Sequence, residues 1–164
     1  MGRRSELIYF GYRRNEKHKG FYNDPDPERQ LSDVEYTEFF EFDDNCIYSD
    51  ASQLLRGSCH IFALSLSKIL GYTPYLIERK DKKGFHAFCQ VYKNYQQFYV
   101  DARGVTASFD EFMDVAGDFV TGEFIVREIT PQDIEKWENT EDCYEEALLF
   151  SEAVIKEYEE CYRI

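Results

Sequence analysis

Basic side chains are scarce in this sequence. The chain has 19 lysines and arginines against 32 aspartates and glutamates, which gives a formal net charge of −13. Nucleic acids and anionic membrane surfaces are bound through positively charged protein surfaces. We therefore expect the protein to bind neither nucleic acid nor membrane, whereas a basic protein surface is a suitable partner for so acidic a chain.

Long apolar runs are also lacking. No stretch approaches the ~18 apolar residues of a transmembrane helix, and the N-terminal run LIYFGY is too short for the core of a signal peptide. The chain has five cysteines, an odd number, and none of them forms a C-x-x-C pair. The sequence therefore predicts a cytoplasmic protein whose cysteines are free thiols.

Aromatic residues, in contrast, are abundant, with 14 phenylalanines and 13 tyrosines. Disordered chains are poor in such residues, so the composition indicates a folded protein. A length of 164 residues fits one domain. Within that single domain, over 1–164, we expect a core of catalytic type at about 50–128 and an acidic helical segment at 130–164.

Hydrophobic periodicity, capping residues and turn residues predict helices on either side of an antiparallel meander. The predicted elements are a strand over 7–12, a helix from Ser32 to about residue 40, a helix over 59–70, strands over 73–79, 85–92 and 98–104, a helix begun by Ser108, a strand over 122–129, a helix from Thr130, and a final helix over 141–162. Strands that follow one another without intervening helices indicate the α+β class rather than alternating βαβ units.

The stretch LRGSCHIFALSLSKIL, residues 54–69, places Cys59 in the first turn of the clearest predicted helix. Unpaired backbone N–H groups and the helix dipole favour a thiolate at that position and lower its pKa. Cysteine is also among the residues most often buried for packing alone. A catalytic interpretation of Cys59 therefore depends on finding a base and a residue that orients it.

His86 and Asp101 lie on two consecutive predicted strands. With a hairpin loop centred between Lys93 and Asn94, His86 faces Asp101 directly, and such partners lie about 4.5–5.5 Å apart at Cβ. A register change of one residue moves Asp101 to the opposite face of the sheet. A cysteine nucleophile needs an imidazole that takes the thiol proton and a carboxylate that orients the imidazole. These residues provide both.

The segments RGSCHIFALSLSKILGY, HAFCQVY and FYVDARG resemble the Cys-His-Asp core of papain-like and transglutaminase-like cysteine enzymes, and they are similar to the arylamine N-acetyltransferase core. The nearest likeness is to small bacterial or phage proteins, and it covers residues 56–106. It implies a central helix that begins with the cysteine and packs on an antiparallel sheet. By this resemblance Cys59 is the nucleophile, His86 the base and Asp101 its orienting residue, and Gln53 occupies the place of an oxyanion-binding glutamine.

The function expected from these residues is that of a thiol hydrolase or acyl transferase acting on an amide, ester or thioester carbonyl. The substrate is a protein, a peptide or a small acyl compound, and no cofactor is needed. The alternative is a non-catalytic binding or inhibitor protein of the phage counter-defence or toxin–antitoxin type. In that case the acidic C-terminal segment is either a docking surface for a basic protein or simply a solvated face.

A zinc site is the competing interpretation of the same region, with Cys59, His60, His86 and Cys89 as ligands. His86 and Cys89 are three positions apart, so in a regular strand they point to opposite faces of the sheet. The ligand spacings of known zinc sites are also missing. No metal is therefore expected.

The remaining cysteines and His18 have no predicted role in chemistry. Cys46 and Cys89 are expected to be core thiols. Cys143 and Cys161 are expected on one face of a single long helix, too far apart to form a disulfide. His18, in the basic stretch RRNEKHKG, is expected to be solvated.

Overall fold

A computed structural model describes residues 17–40 and 47–164. The predicted strand over 7–12 and Cys46 lie outside the described residues. Within them, antiparallel strands form one sheet in the order β1-β5-β4-β3-β2-β6. The strands are β1 (His18–Gly20), β2 (Thr73–Arg79), β3 (Phe85–Lys93), β4 (Gln96–Asp101), β5 (Gly104–Thr106) and β6 (Phe124–Glu128).

Helices cover both faces of this sheet. In chain order they are α1 (Pro27–Ser32), α2 (Cys59–Leu70), α3 (Phe109–Phe119), α4 (Pro131–Thr140), α5 (Tyr144–Glu157) and α6 (Glu159–Tyr162), with short 3₁₀ helices at Phe21–Asn23, Tyr36–Glu38 and Ala51–Leu54. The predicted α+β class and the predicted helix over 59–70 are confirmed. No helix in the described ranges is long and apolar enough to cross a membrane.

The prediction of a helix that begins at Ser32 is wrong, because Ser32 is the last residue of α1. Asp26 caps α1 instead, accepting the backbone N–H of Arg29 at 3.1 Å. Pro27 occupies the first helical position, where a missing N–H has no consequence. The turn-forming DPDPE sequence therefore starts a helix, and the capping-box pattern that follows it does not.

The predicted long C-terminal helix is also divided. Helix α5 ends at Glu157, because the φ and ψ of its C-cap Tyr158, −115° and 36°, are not helical, and the short α6 follows. Cys143 is the N-cap of α5 and Cys161 lies in α6. The two cysteines therefore do not share a face of one helix, contrary to the prediction.

The sheet separates two hydrophobic clusters. On one face, Leu76, Ala87 and Cys89 belong to the main core, to which α2 and α5 contribute their buried residues. On the other face, Ile77 and Phe88 pack against α3 in a smaller cluster. Because side chains alternate along a strand, His86 lies on the α3 face, and Cys59 approaches from the α2 face.

The register of β3 and β4 differs from the predicted one by two residues. Asn94 and Tyr95 form the turn, and their φ angles of 53° and 64° are those of a two-residue hairpin turn. The prediction that His86 directly faces Asp101 is therefore wrong, since the two residues are diagonal neighbours. Because the shift is even, both side chains stay on one face, and diagonal neighbours are within reach of long side chains.

Candidate active site

Cys59 is the first residue of α2, and a tight turn brings the chain to that position. Gly57 has a φ of 114°, which residues with a side chain rarely adopt. The N–H of Ser58 donates to the carbonyl of Gln53 at 3.0 Å. The thiol consequently lies at the positive end of the helix, beside backbone N–H groups that have no partner within the helix.

The sulfur of Cys59 lies where strands β3 and β4 separate. The pairing of these strands begins at Cys89 and Val100, so Ala87 precedes the paired region. The N–H of Ala87 donates to Sγ of Cys59 at 3.4 Å. Since the N–H groups of a strand point sideways within the sheet, the sulfur occupies the place of an accepting carbonyl on a neighbouring strand. It is thereby brought next to the backbone of His86.

His86 and Asp101 form a buried pair on the α3 face. Nε2 of His86 lies 3.0 Å from Oδ2 of Asp101, and the two residues are 0% and 3% exposed. The other ring nitrogen, Nδ1, is buried and makes no hydrogen bond of normal geometry with the described residues. A carboxylate on one ring nitrogen leaves the other free to exchange a proton with a thiol. The structure thus brings Cys59, His86 and Asp101 together.

Arg103 holds the carboxylate of Asp101 in place. Its Nε and Nη2 atoms lie 3.1 and 2.6 Å from the Asp101 oxygens, and its own backbone N–H donates to Oδ1 at 3.0 Å. The remaining guanidinium N–H groups donate to the carbonyls of Glu111 and Phe112, and the ring of Tyr22 lies 4.8 Å away. Sequence reasoning missed Arg103, although its place two residues after Asp101 is the local signal for such a pair.

The electrostatic interactions among Cys59, His86 and Asp101 favour a thiolate on Cys59. Burial raises the pKa of the Cys59 thiol, but hydrogen bonds and positive charge from His60 and His86 outweigh burial and lower the pKa to about 6. Burial lowers the pKa of His86, whereas Asp101 and Cys59 raise it to about 9. Burial raises the pKa of Asp101, yet Arg103 and His86 hold it well below its usual range. The directions of these shifts favour a thiolate–imidazolium pair supported by a carboxylate.

A second histidine, His60, also lies beside Cys59. It is 2% exposed, its Nε2 lies 2.6 Å from Oε1 of Glu141, and its ring packs on Trp137 and Phe85 at centroid distances of 4.7 and 5.8 Å. Burial lowers the pKa of His60, but Cys59 and Glu141 raise it above its ordinary value. Sequence reasoning considered His60 only as a zinc ligand. Its adjacency to Cys59 was the available signal, whereas Glu141 has no local signal.

An aromatic ring shields His86 from solvent. The ring of Phe119 stacks on the imidazole with a centroid distance of 6.1 Å and an interplanar angle of 10°. The guanidinium of Arg56 lies 5.5 Å from the centre of that ring. Arg56 also pairs with Glu28 at 2.6 Å and with Asp118 at 2.8 Å. Arg56, three residues before the nucleophile candidate, therefore helps to hold the end of α3 against the site.

The described contacts of Gln53 do not join it to Cys59, His86 and Asp101. Its Oε1 accepts the N–H of Ser49 at 2.6 Å and that of Asp50 at 3.3 Å, and its Nε2 donates to the carbonyl of Ile47 at 2.9 Å. These contacts complete a capping box at the 3₁₀ helix before α2. The described contacts of Gln53 thus serve local structure, and the backbone N–H of Cys59 is left as the candidate donor to an oxyanion.

The other described cysteines are core thiols or cap a helix. Sγ of Cys89 donates to the carbonyl of Ala63 at 3.3 Å, and burial raises the pKa of Cys89 and of Cys161. The prediction that Cys89 is a core thiol is confirmed. Cys59, Cys89 and Cys161 are thiols that take no part in a disulfide. Within the described ranges, no three or more histidine, cysteine, aspartate and glutamate side chains are grouped so that they could hold a metal ion.

Two cavities of about 380 and 370 Å³ lie near β1 and α3. Both are lined by His18 and Glu111, and among the described residues neither is lined by Cys59 or His86. The prediction that His18 is solvated is wrong. It is buried in β1, and its Nδ1 lies 3.0 Å from Oε2 of Glu111.

Comparison of the chain with protein-family models, curated proteins and solved structures gives no match. The resemblance to papain-like and transglutaminase-like enzymes therefore stays a prediction based on the residues. The class that the described fold defines is a mixed α+β protein with an antiparallel sheet covered by helices.

Proposed function

We propose that this protein is a cysteine-nucleophile enzyme of the hydrolase or acyl-transferase type, acting on an amide, ester or thioester carbonyl. Cys59 is the nucleophile, His86 the acid and base, and Asp101 the residue that orients His86. The single observation that carries the proposal is the buried His86–Asp101 pair beside a cysteine at a helix N-terminus, whose pKa is lowered to about 6. Strongly shifted pKa values that arise from specific partners are typical of functional sites.

In the proposed reaction the Cys59 thiolate attacks the carbonyl carbon and forms a C–S bond, while the carbonyl electrons move to the oxygen. The backbone N–H of Cys59 donates to that oxyanion. When the oxyanion collapses, the bond to the leaving group breaks and the His86 imidazolium gives the leaving group a proton. Neutral His86 then takes a proton from water or an amine, which attacks the thioester and releases the thiolate.

Hydrolysis is the preferred outcome of the second half-reaction. Water needs no binding site of its own beyond hydrogen bonds to His86, whereas transfer to an amine needs a second substrate site. Asp101 stays ionised throughout because Arg103 and His86 both stabilise its negative charge. Its role is to stabilise the imidazolium and fix the orientation of the ring.

Acyl-enzyme trapping tests this proposal. The folded protein is incubated with p-nitrophenyl acetate, p-nitrophenol release is followed, and the acetylated cysteine is identified by peptide mass spectrometry. We expect acetylation of Cys59 and its loss in Cys59→Ser. Cys143→Ser is the matched control because Cys143 is a half-buried thiol outside the site. Acetylation of Cys143 at the same rate as Cys59, or of neither thiol, contradicts the proposal.

The second candidate function is a binding protein with an idle site, and the low exposure of Cys59, 7%, favours it. A basic protein is the partner that the net charge of −13 favours. Some C-terminal carboxylates are already paired within the chain, since Glu141 contacts His60 and Glu152 lies 2.7 Å from Lys68. A folded protein whose Cys59 never accepts an acetyl group would favour this candidate.

A further inference from the structure

His60 and His86 both interact with the Cys59 thiol and have the same arrangement of ring nitrogens. Each imidazole is almost completely buried, each has Nε2 on a carboxylate, and each has a buried Nδ1 without a hydrogen bond of normal geometry to the described residues. The carboxylates are Glu141 for His60 and Asp101 for His86. A buried polar nitrogen without a hydrogen bond of normal geometry is uncommon in proteins, and here two belong to histidines that interact with the same thiol.

The elements around His60 hold it in that place. His60 follows Cys59 at the start of α2, and Glu141 directly follows α4. Trp137 from α4 and Phe85, the residue before His86, pack against the ring of His60. Glu141 takes one nitrogen at 2.6 Å, so the free Nδ1 is the atom that can exchange a proton with Cys59.

We propose that His60, fixed by Glu141, is a second positioning residue for the Cys59 thiolate, acting together with His86. This inference rests on the proposed function of Cys59. The thiol proton moves from Sγ to a histidine Nδ1, which leaves a thiolate and an imidazolium and changes no other bond. His86 takes the thiol proton and later gives it to the leaving group, whereas the proton on His60, taken up from solvent, stays on the ring and stabilises the negative charge of the sulfur.

The division of labour between the two histidines has a consequence for different reagents. Iodoacetamide alkylates a thiolate and expels iodide, which needs no proton. Alkylation therefore reports the thiolate alone, whereas acyl transfer also reports the proton donor. Loss of His86 should impair acyl transfer much more than alkylation at a pH where the thiolate is formed. Loss of His60 should slow alkylation and acyl transfer by the same factor, which is the factor by which the fraction of Cys59 thiolate falls.

The groups that set the thiolate population are His60 on the same helix and His86 on β3, with Glu141 and Asp101 behind them. The test measures the rate of Cys59 alkylation by iodoacetamide from pH 5 to 9, with adducts mapped by peptide mass spectrometry. An opposite charge nearby shifts a pKa by about 1–3. We therefore expect His60→Gln to move the midpoint of the profile up by about 1 pH unit, and Glu141→Gln to move it in the same direction by less.

Asp142→Asn is the matched control for Glu141→Gln, because it removes an exposed carboxylate one residue away. Its profile should match that of the unmodified protein. The double variant His60→Gln/His86→Ala should have a higher midpoint than either single variant. Since His60 is buried, thermal unfolding is measured on every variant. If His60→Gln does not fold, the half-buried Glu141→Gln carries the test.

Two failures are distinguishable. Profiles of His60→Gln and Glu141→Gln that coincide with that of the unmodified protein, while His86→Ala is shifted, overturn the role of His60 and leave the proposed enzyme intact. A Cys59 that is unreactive in the folded, unmodified protein overturns the proposed function itself, and the role of His60 falls with it.

Discussion

The Nε2 atom of His86 lies 3.0 Å from Oδ2 of Asp101, and Arg103 holds the same carboxylate with its own guanidinium 2.6 Å from Oδ2. One buried carboxylate thus contacts both an imidazole and a guanidinium. Burying charges is unfavourable unless they are paired and hydrogen-bonded. The arrangement therefore couples the stability of the fold to the protonation of the imidazole beside Cys59.

Asp101→Asn should preserve the shape of the site and remove its negative charge. The His86 imidazolium loses its partner, so the pKa of His86 falls and the Cys59 thiolate becomes less stable. By comparison with triads of this kind, we expect the rate of Cys59 acetylation to fall by on the order of 10²- to 10⁴-fold. The measurement is p-nitrophenol release at neutral pH. A rate within a factor of two of the unmodified protein would show that Asp101 does not act through His86.

Arg103→Met should destabilise the fold strongly, because it leaves Asp101 buried without its main partner. Breaking a buried ion pair by removing one side costs about 3–5 kcal/mol. Urea unfolding followed by circular dichroism measures the change in free energy of unfolding. Arg163→Met is the matched control, since Arg163 pairs with Glu159 on the surface. Equal stability of the two variants would contradict the buried pair.

The protonation of His86 should define the upper limit of the reactive pH range. Its pKa is raised to about 9 in the folded protein, against about 6.5 in an unfolded chain. The stability that its charge contributes is therefore complete below about pH 6.5 and is lost as the pH rises through about 9. Nuclear magnetic resonance titration of the ring carbons should give a midpoint near 9. A midpoint at or below 6.5 would rule out the imidazolium.

The Cys59 thiolate should define the lower limit of that range. Its pKa is lowered to about 6, so its contribution to stability is present above the pKa of an unfolded cysteine, near 8.5, and is lost as the pH falls through about 6. Acetylation by p-nitrophenyl acetate should therefore rise from about pH 6 to a plateau and fall near 9. A rate that first appears above about pH 8.5 is the profile of an ordinary thiol.

Gly84→Ala should displace the ring that covers His86. A Cβ at residue 84 would overlap with the carbonyl oxygen of Phe119, whose ring stacks on the imidazole. Overpacking of this kind costs about 1–3 kcal/mol. Gly117→Ala, within α3, is the control and should have the opposite effect. The nearest atom to its new Cβ lies at 3.9 Å, so there is room for it, and a Gly→Ala change inside a helix raises the free energy of unfolding by about 0.5–1 kcal/mol. Thermal unfolding measures the stability of both variants. Equal changes in their melting temperatures would contradict the close approach of Gly84 to the carbonyl of Phe119.

The elements that carry the candidate site were easier to predict than the geometry of the site. The helix that begins at Cys59 and the strands that carry His86 and Asp101 follow from periodicity and capping, because those signals are local. The hairpin register was wrong by two residues, yet the parity of His86 and Asp101 survived, since only an odd shift moves a side chain to the other face.

The partners that come from distant elements had no such signal. His60 is paired by Glu141, and the ring that shields His86 comes from Phe119 at the end of α3. Both contacts depend on how α3 and α4 are placed against the sheet, which tertiary packing decides. Gln53 shows the reverse case, since its spacing from Cys59 fits an oxyanion donor while its side chain caps a 3₁₀ helix.

The most direct test of the central claim is the pH dependence of Cys59 alkylation in the folded protein. Iodoacetamide is applied from pH 5 to 9, and the adducts on Cys59 are quantified against those on Cys143 in the same samples. We expect Cys59 to react first, with a midpoint near pH 6 that His86→Ala raises. A Cys59 that reacts only after unfolding, or with the midpoint near 8.5 of an ordinary thiol, would contradict the claim that it is a nucleophile.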